Sequence, residues 1–296
     1  MNLEFLTQRL AEEFNINEIP SDEPFSRILP KMYDAAHIEF RYYISNQFLR
    51  TFHGLMLKNS HIVKKVYLAV FLSEEILDII FAKDIFDTFI FLHHPMDMES
   101  SGRGFLPLKE KYFLELQRRR ISVYCLHTPL DIHKSISTSR SIAKALMLQR
   151  CQEYNRCSVG YAGIFGSLDS PIPLARFIHS LQHIFNLDEI HFLQRFPTVS
   201  RIGIIAGGGA EVEYMQETIR LGCDTYLSGD YLNKVKTENS IRRRAEFEGI
   251  KDSLNLNLIE CSHYATEKLV LVNEMQDYFR NLGLETEFID RVDYWK

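Results

Sequence analysis

The chain reads as an α/β protein of two similar units, and three observations predict this. From about residue 62 onward, short apolar runs rich in β-branched and aromatic residues alternate with longer amphipathic stretches. The 296 residues are 46% hydrophobic, enough for one large or two ordinary packed domains. A stretch in the first half also recurs in the second at a nearly constant offset.

Taken in order, the N-terminal segment carries Leu3, Leu6, Leu10 and Phe14 at helical spacing. It also carries Glu4, Glu12 and Glu13 and lacks a basic start and a small-residue cleavage site, so it does not read as a secretory signal. Strands are expected near 64–72, 87–92, 121–126, 158–165, 200–206, 224–228, 256–261 and 284–290, with helices between them. Ser73 can cap a helix starting at Glu74, Pro171 can begin another, and Gly222 and Gly283 stand where two helices should stop. The longest apolar run, near Val66–Leu72, is far short of a membrane span.

Charge and cysteine usage exclude further classes. With 34 Lys+Arg against 39 Asp+Glu the net charge is −5, so no overall basic field holds nucleic acid or an anionic membrane. The two Arg-Arg-Arg runs, 118–120 and 242–244, lie beside acidic residues and read as solvated faces. Five cysteines without a CxxC pair argue against a disulfide framework or a thiolate zinc site and fit a reducing cytoplasm.

The repeat needs no gap. VYLAVFLSEEILDIIFAKDIFDTFIFLHH from Val66 lies over GIIAGGGAEVEYMQETIRLGCDTYLSGDY from Gly203 at an offset of 137, matching Ala69 with Ala206, Glu74 with Glu211, Asp87 with Asp224 and Thr88 with Thr225. At an offset of 136, Cys125, His127 and Asp131 meet Cys261, His263 and Glu267. Equivalent strand ends can then face one another across a pseudo-twofold cleft.

Chemistry is expected there. His93 and His94 follow an apolar strand, at the edge where open α/β sheets bind ligands; the plainer reading is a pair of surface histidines. His263 and Glu267 are four apart, so a helix would put imidazole and carboxylate on one face. His127 and Asp131 have the same spacing, although Pro129 favours a loop. Histidines and carboxylates without cysteine suit zinc, iron, manganese or nickel, and five or six such ligands exceed one tetrahedral ion. A two-metal site, with Asp131 or Glu267 bridging and carrying catalysis, would suit hydrolysis. Gly207, Gly208 and Gly209 either let backbone N–H groups approach an anion or make a tight turn. Asp230 either borders the cleft or caps a helix. Cys125 and Cys261, at the ends of apolar strands, read as inert, and no GxSxG is present.

FLHHP, HTPLD, GIIAGGGA, DTYLSGD and SHYATEK resemble, in order and spacing, the NIF-three-like proteins, also called GTP cyclohydrolase I type 2 homologues or dinuclear metal-centre hexameric proteins. The resemblance covers roughly residues 54–290. It implies two intertwined α/β units, 1–130 with 265–296 and 131–264, a metal cleft between them, and a toroidal homohexamer. It also implies two divalent metal ions (zinc, iron or manganese) on His93, His94, Asp131, His263 and Glu267, with His127 a further ligand or a residue behind the ligands. The expected activity is hydrolysis of a small phosphorylated or nucleotide-like substrate; the alternatives are a metal-delivery or regulatory protein without turnover and, disfavoured by the acidic balance, a nucleic-acid partner. Three positions depart from the family pattern: Ser262 stands where many members have Gly, SGD replaces TGE, and Phe71 stands where an Asp is often seen. Residues 1–53 match poorly and read as a divergent helical extension or subunit contact.

Overall fold

The computed structural model describes residues 1–157, 159–232, 234–235 and 237–295. In chain order its elements are α1 (Leu3–Glu13), α2 (Glu23–Ala35), α3 (Asn46–Thr51), β1 (Gly54–Leu57), β2 (Lys65–Phe71), α4 (Glu74–Phe81), β3 (Phe89–His94), β4 (Asp97–Glu99), β5 (Gly104–Leu106), α5 (Glu110–Arg118), β6 (Ser122–Cys125) and α6 (Thr128–Asp131). There follow α7 (Thr138–Ala145), β7 (Gln149–Cys157), β8 (Gly160–Pro173), α8 (Leu174–Phe185), β9 (His191–Leu193), β10 (Thr198–Gly208), α9 (Val212–Arg220), β11 (Thr225–Asp230), α10 (Glu238–Ile250), β12 (Asn257–Glu260), α11 (His263–Val270), α12 (Gln276–Asn281) and β13 (Glu285–Phe288). Ser158, at the start of one expected strand, lies outside the described residues. No helix among the described residues is long and apolar enough to cross a membrane.

The chain forms two compact units, each assembled from three segments: Met1–Met98, Phe105–His133 and Leu271–Val292 in the first, and Glu99–Gly104, Lys134–Val270 and Asp293–Lys296 in the second. The first unit holds a five-stranded sheet in the order β1-β6-β3-β2-β13, parallel except for β1. Strands β2 and β3 are buried along nearly their whole length, as parallel strands covered on both faces must be, which is why they read as continuous apolar runs. Phe25, Leu29 and Tyr33 of α2 pack into the core that covers this sheet, with Leu77 and Ile80 of α4. Ser73 caps α4, its side chain accepting from the Ile76 N–H at 3.2 Å.

The second unit holds a six-stranded sheet in the order β7-β8-β10-β11-β12-β9, with β10, β11 and β12 parallel. Inside each unit the paired strands share one register: Val66 opposite Phe89 corresponds, 137 residues on, to Gly203 opposite Tyr226. Gly222 and Gly283 follow the ends of α9 and α12 with φ of +74° and +80°, the left-handed conformation that stops a helix.

Two local expectations are corrected. Pro171 does not begin a helix: β8 continues to Pro173 and α8 starts at Leu174. Past Ser167, β8 pairs with β10 alone, and the edge left over tolerates a residue without an N–H. Pro129 does not enforce a loop, because it occupies the first turn of α6, where no intrahelical N–H is required.

Candidate metal centre

In the first unit, the parallel sheet delivers its side chains at its C-terminal edge. His93 and His94 end β3, and α6 follows β6 directly, bringing His127 and Asp131 to the same edge. The three imidazoles each offer a nitrogen within 4.8 Å of the others. Asp131 lies across them, with Oδ1 3.5 Å from His93 Nε2 and Oδ2 3.9 Å from His127 Nε2.

The proton positions follow from the partners. His93 Nδ1 is 2.8 Å from the Leu126 carbonyl, which can only accept, so Nδ1 donates and Nε2 is the nitrogen that faces Asp131. His127 Nδ1 is 2.7 Å from Asp22 Oδ2, and the same reasoning applies. Burial alone would raise the Asp22 pKa. The His127 imidazole and the Thr128 and Phe25 donors more than offset this, so the carboxyl is held well below the usual range. Burial favours the neutral His127 ring, but Asp22 and Asp131 outweigh it and raise its pKa. Asp22 carries no mark of chemistry in the sequence; its only local signal is that of a helix cap before Glu23 and Pro24.

Phe71 takes up the space of the expected acidic residue differently. Its ring stacks on His94 at 4.7 Å, and the Arg291 guanidinium lies 5.2 Å from its centroid.

In the second unit, β12 ends at Glu260 and α11 begins at His263. One helical turn aligns His263 Nε2 with Glu267 Oε1 at 3.0 Å. Ser262, just before the helix, has φ of +65°, the left-handed conformation that favours glycine. Serine is held in that conformation by its hydroxyl, which donates to Asp293 Oδ2 at 2.6 Å and accepts from the Ala265 N–H. Trp295 packs its ring 4.6 Å from His263.

Gly207 closes the other side of this pair. It has φ of +64°, and a Cβ there would lie 2.1 Å from Glu267 Oε1 and 3.2 Å from His263 Nε2. The glycine segment is a tight approach rather than an open anion cradle, since the Gly207 N–H donates to Thr266 Oγ1 and the Gly209 N–H to the Asp230 carbonyl. Asp230 ends β11, buried, and burial together with the neighbouring Glu260 pushes its pKa up to about 6. The arginines of 118–120 are engaged at the surface, Arg118 and Arg119 with Glu115 and Arg120 with Asp87. Cys125 and Cys261 are buried with raised pKa values, as inert thiols are.

Within each unit the donors suit a divalent transition ion: three imidazoles and a carboxylate in the first, and an imidazole–carboxylate pair beside a glycine that leaves room for it in the second.

The model of the family Duf34/NIF3 (NGG1p interacting factor 3) matches residues 51–293. The chain belongs to the Duf34/NIF3 family. Among curated relatives of this Duf34/NIF3 chain, the GTP cyclohydrolase 1 type 2 homolog of Haemophilus influenzae is 23% identical over 239 residues, covering 80% of this chain and 88% of that protein. The protein of the same name from Pyrococcus horikoshii is 26% identical over 245 residues, with 80% and 88% covered. Solved structures share the fold: protein ybgI, of unknown function, has a TM-score of 0.68 at 18% identity over 99% of both chains. Reduced HcgD from Methanocaldococcus jannaschii has a TM-score of 0.64 at 19% identity over 98% of both.

Proposed function

We propose that this Duf34/NIF3 chain is a dinuclear metal-dependent hydrolase of a small phosphorylated or nucleotide-like compound, working in the cytoplasm as a homohexamer. His93, His94, Asp131, His263 and Glu267 would hold two divalent ions of zinc, iron or manganese, with His127 beside them. The observation that carries this reading is the convergence of three imidazoles and Asp131 on one sheet edge, with the Nε2 atoms of His93 and His127 facing Asp131. When bound, a pair of such ions supplies Lewis acidity and lowers the pKa of water, so no separate strong base is needed. The chain's own groups then orient: His93 and His127 are held by their Nδ1 bonds, and Asp131 and Glu267 would supply the carboxylate ligands. The relatives' name, GTP cyclohydrolase 1 type 2 homolog, points to the same substrate class.

A second reading, a metal-delivery or regulatory protein without turnover, is favoured by the internally satisfied N–H groups of Gly207 and Gly209, which leave that segment no evident phosphate cradle. Metal-loaded protein assayed against a panel of phosphorylated and nucleotide compounds separates the two. Turnover that is lost in Asp131→Ala and Glu267→Ala supports the hydrolase. Turnover equal in folded, metal-free Glu267→Ala overturns it.

A further inference from the structure

One polar contact to the histidine group comes from outside the family-matched residues, which begin at 51. Asp22 is 1% exposed and makes two sets of bonds with its two oxygens. Oδ1 accepts from the Phe25 N–H at 3.1 Å and so caps α2. Oδ2 accepts from His127 Nδ1 at 2.7 Å, from Thr128 Oγ1 at 2.8 Å and from the Thr128 N–H at 3.3 Å. The backbone is pinned as well, the Asp22 N–H donating to the Thr51 carbonyl at 2.8 Å. Phe25, on the helix that Asp22 caps, sets its ring edge-on to His127 at 4.9 Å, so one short segment fixes the imidazole by both a hydrogen bond and a packing contact.

We propose that Asp22 is a positioning residue for metal binding: it holds His127 in the Nδ1-protonated tautomer, with the Nε2 lone pair turned toward Asp131 and available to a divalent ion. The inference rests on the metal-binding reading above and adds to it that the divergent N-terminal segment completes the ligand group. A carboxylate behind a metal-ligating imidazole fixes ring orientation and tautomer and raises its basicity, and loss of such a partner typically costs about 10–100-fold in metal affinity. His93 reaches the same state through a backbone carbonyl, which substitution cannot remove; His127 relies on a side chain that can be changed.

The test is Asp22→Asn in the full chain. Asparagine caps helices as well as aspartate does, so α2 keeps its cap, but the amide nitrogen now donates to the ring and drives the proton to Nε2. Two readouts follow. Zinc affinity, measured by competition with a chromogenic chelator, should fall about 10–100-fold. Nitrogen-15 shifts of the histidine side chains in metal-free protein, at a pH where the ring is neutral, should move His127 from the Nδ1-protonated to the Nε2-protonated pattern. On a His127→Ala background the same substitution should change zinc affinity no further. An unchanged tautomer, or a zinc loss of full size without His127, overturns the proposal. A wild-type protein that does not compete for zinc removes the metal reading instead, while the tautomer measurement still decides what Asp22 does.

Discussion

Gly207→Ala is the sharpest single perturbation. The φ of +64° imposes a left-handed conformation on a residue with a Cβ, at a cost of about 1–2 kcal/mol. The new methyl would sit 2.1 Å from Glu267 Oε1, so the carboxylate must swing away by about an ångström in a site where Glu267 is 3% exposed and 3.0 Å from His263; overpacking of this kind costs about 1–3 kcal/mol. The total, about 2–5 kcal/mol, corresponds to a Tm lower by roughly 5–15 °C for a unit of this size. Gly222→Ala is the control: φ is +74° and nothing lies within 4 Å of its Cβ, so only the backbone cost remains, a Tm lower by roughly 2–6 °C. Thermal unfolding of both variants in chelator measures the difference. In a Glu267→Ala background the Gly207→Ala cost should fall to that of Gly222→Ala, giving a coupling of about 1–3 kcal/mol. Equal Tm losses for the two glycine variants, or no coupling to Glu267, would refute the close packing of glycine on carboxylate.

Two further outcomes are expected. The Asp230 pKa is raised to about 6, so the native state binds the extra proton between the ordinary carboxyl range and pH 6; its favourable contribution is complete below about pH 4 and is lost as pH rises to 6. In metal-free buffer Asp230→Asn should therefore gain stability relative to wild type from pH 4 to 7, by about 1–3 kcal/mol, and a flat difference in urea-unfolding free energy across that range contradicts it. Brief alkylation at pH 7.5 read by mass spectrometry should label the half-buried Cys151 and Cys157 first and leave Cys125 and Cys261 untouched until unfolding; early labelling of Cys125 would contradict its burial.

The central strands were legible because burial on both faces turns them into continuous apolar runs, as in β2 and β3, each buried over nearly all its residues. Two strands at the edges of the second sheet were not. β7, QRCQEYNRC, is polar and pairs on one side only, and β9 is three residues long. α2 lies in the segment read only as a helical extension, and Pro30 in its interior leaves its bounds unmarked in the sequence.

The site follows the same logic. His263 and Glu267 are coupled by one helical turn, a local spacing that sequence displays directly. His93, His94, His127 and Asp131 were recoverable because each follows an apolar run that ends at the sheet edge. Asp22 was invisible: its partner lies 105 residues away, and an N-cap aspartate looks the same whether or not its second oxygen holds an imidazole. Nor could Phe71 announce that its ring would stack on His94, since it reads as one more apolar residue of β2.

The most direct test of the metal centre is metal content per chain in untagged protein purified without added metal, compared between wild type and Glu267→Ala. The account predicts about two zinc, iron or manganese ions per wild-type chain and a clear loss in the folded variant. Wild-type protein without bound metal, or a variant that retains the full complement, would contradict it.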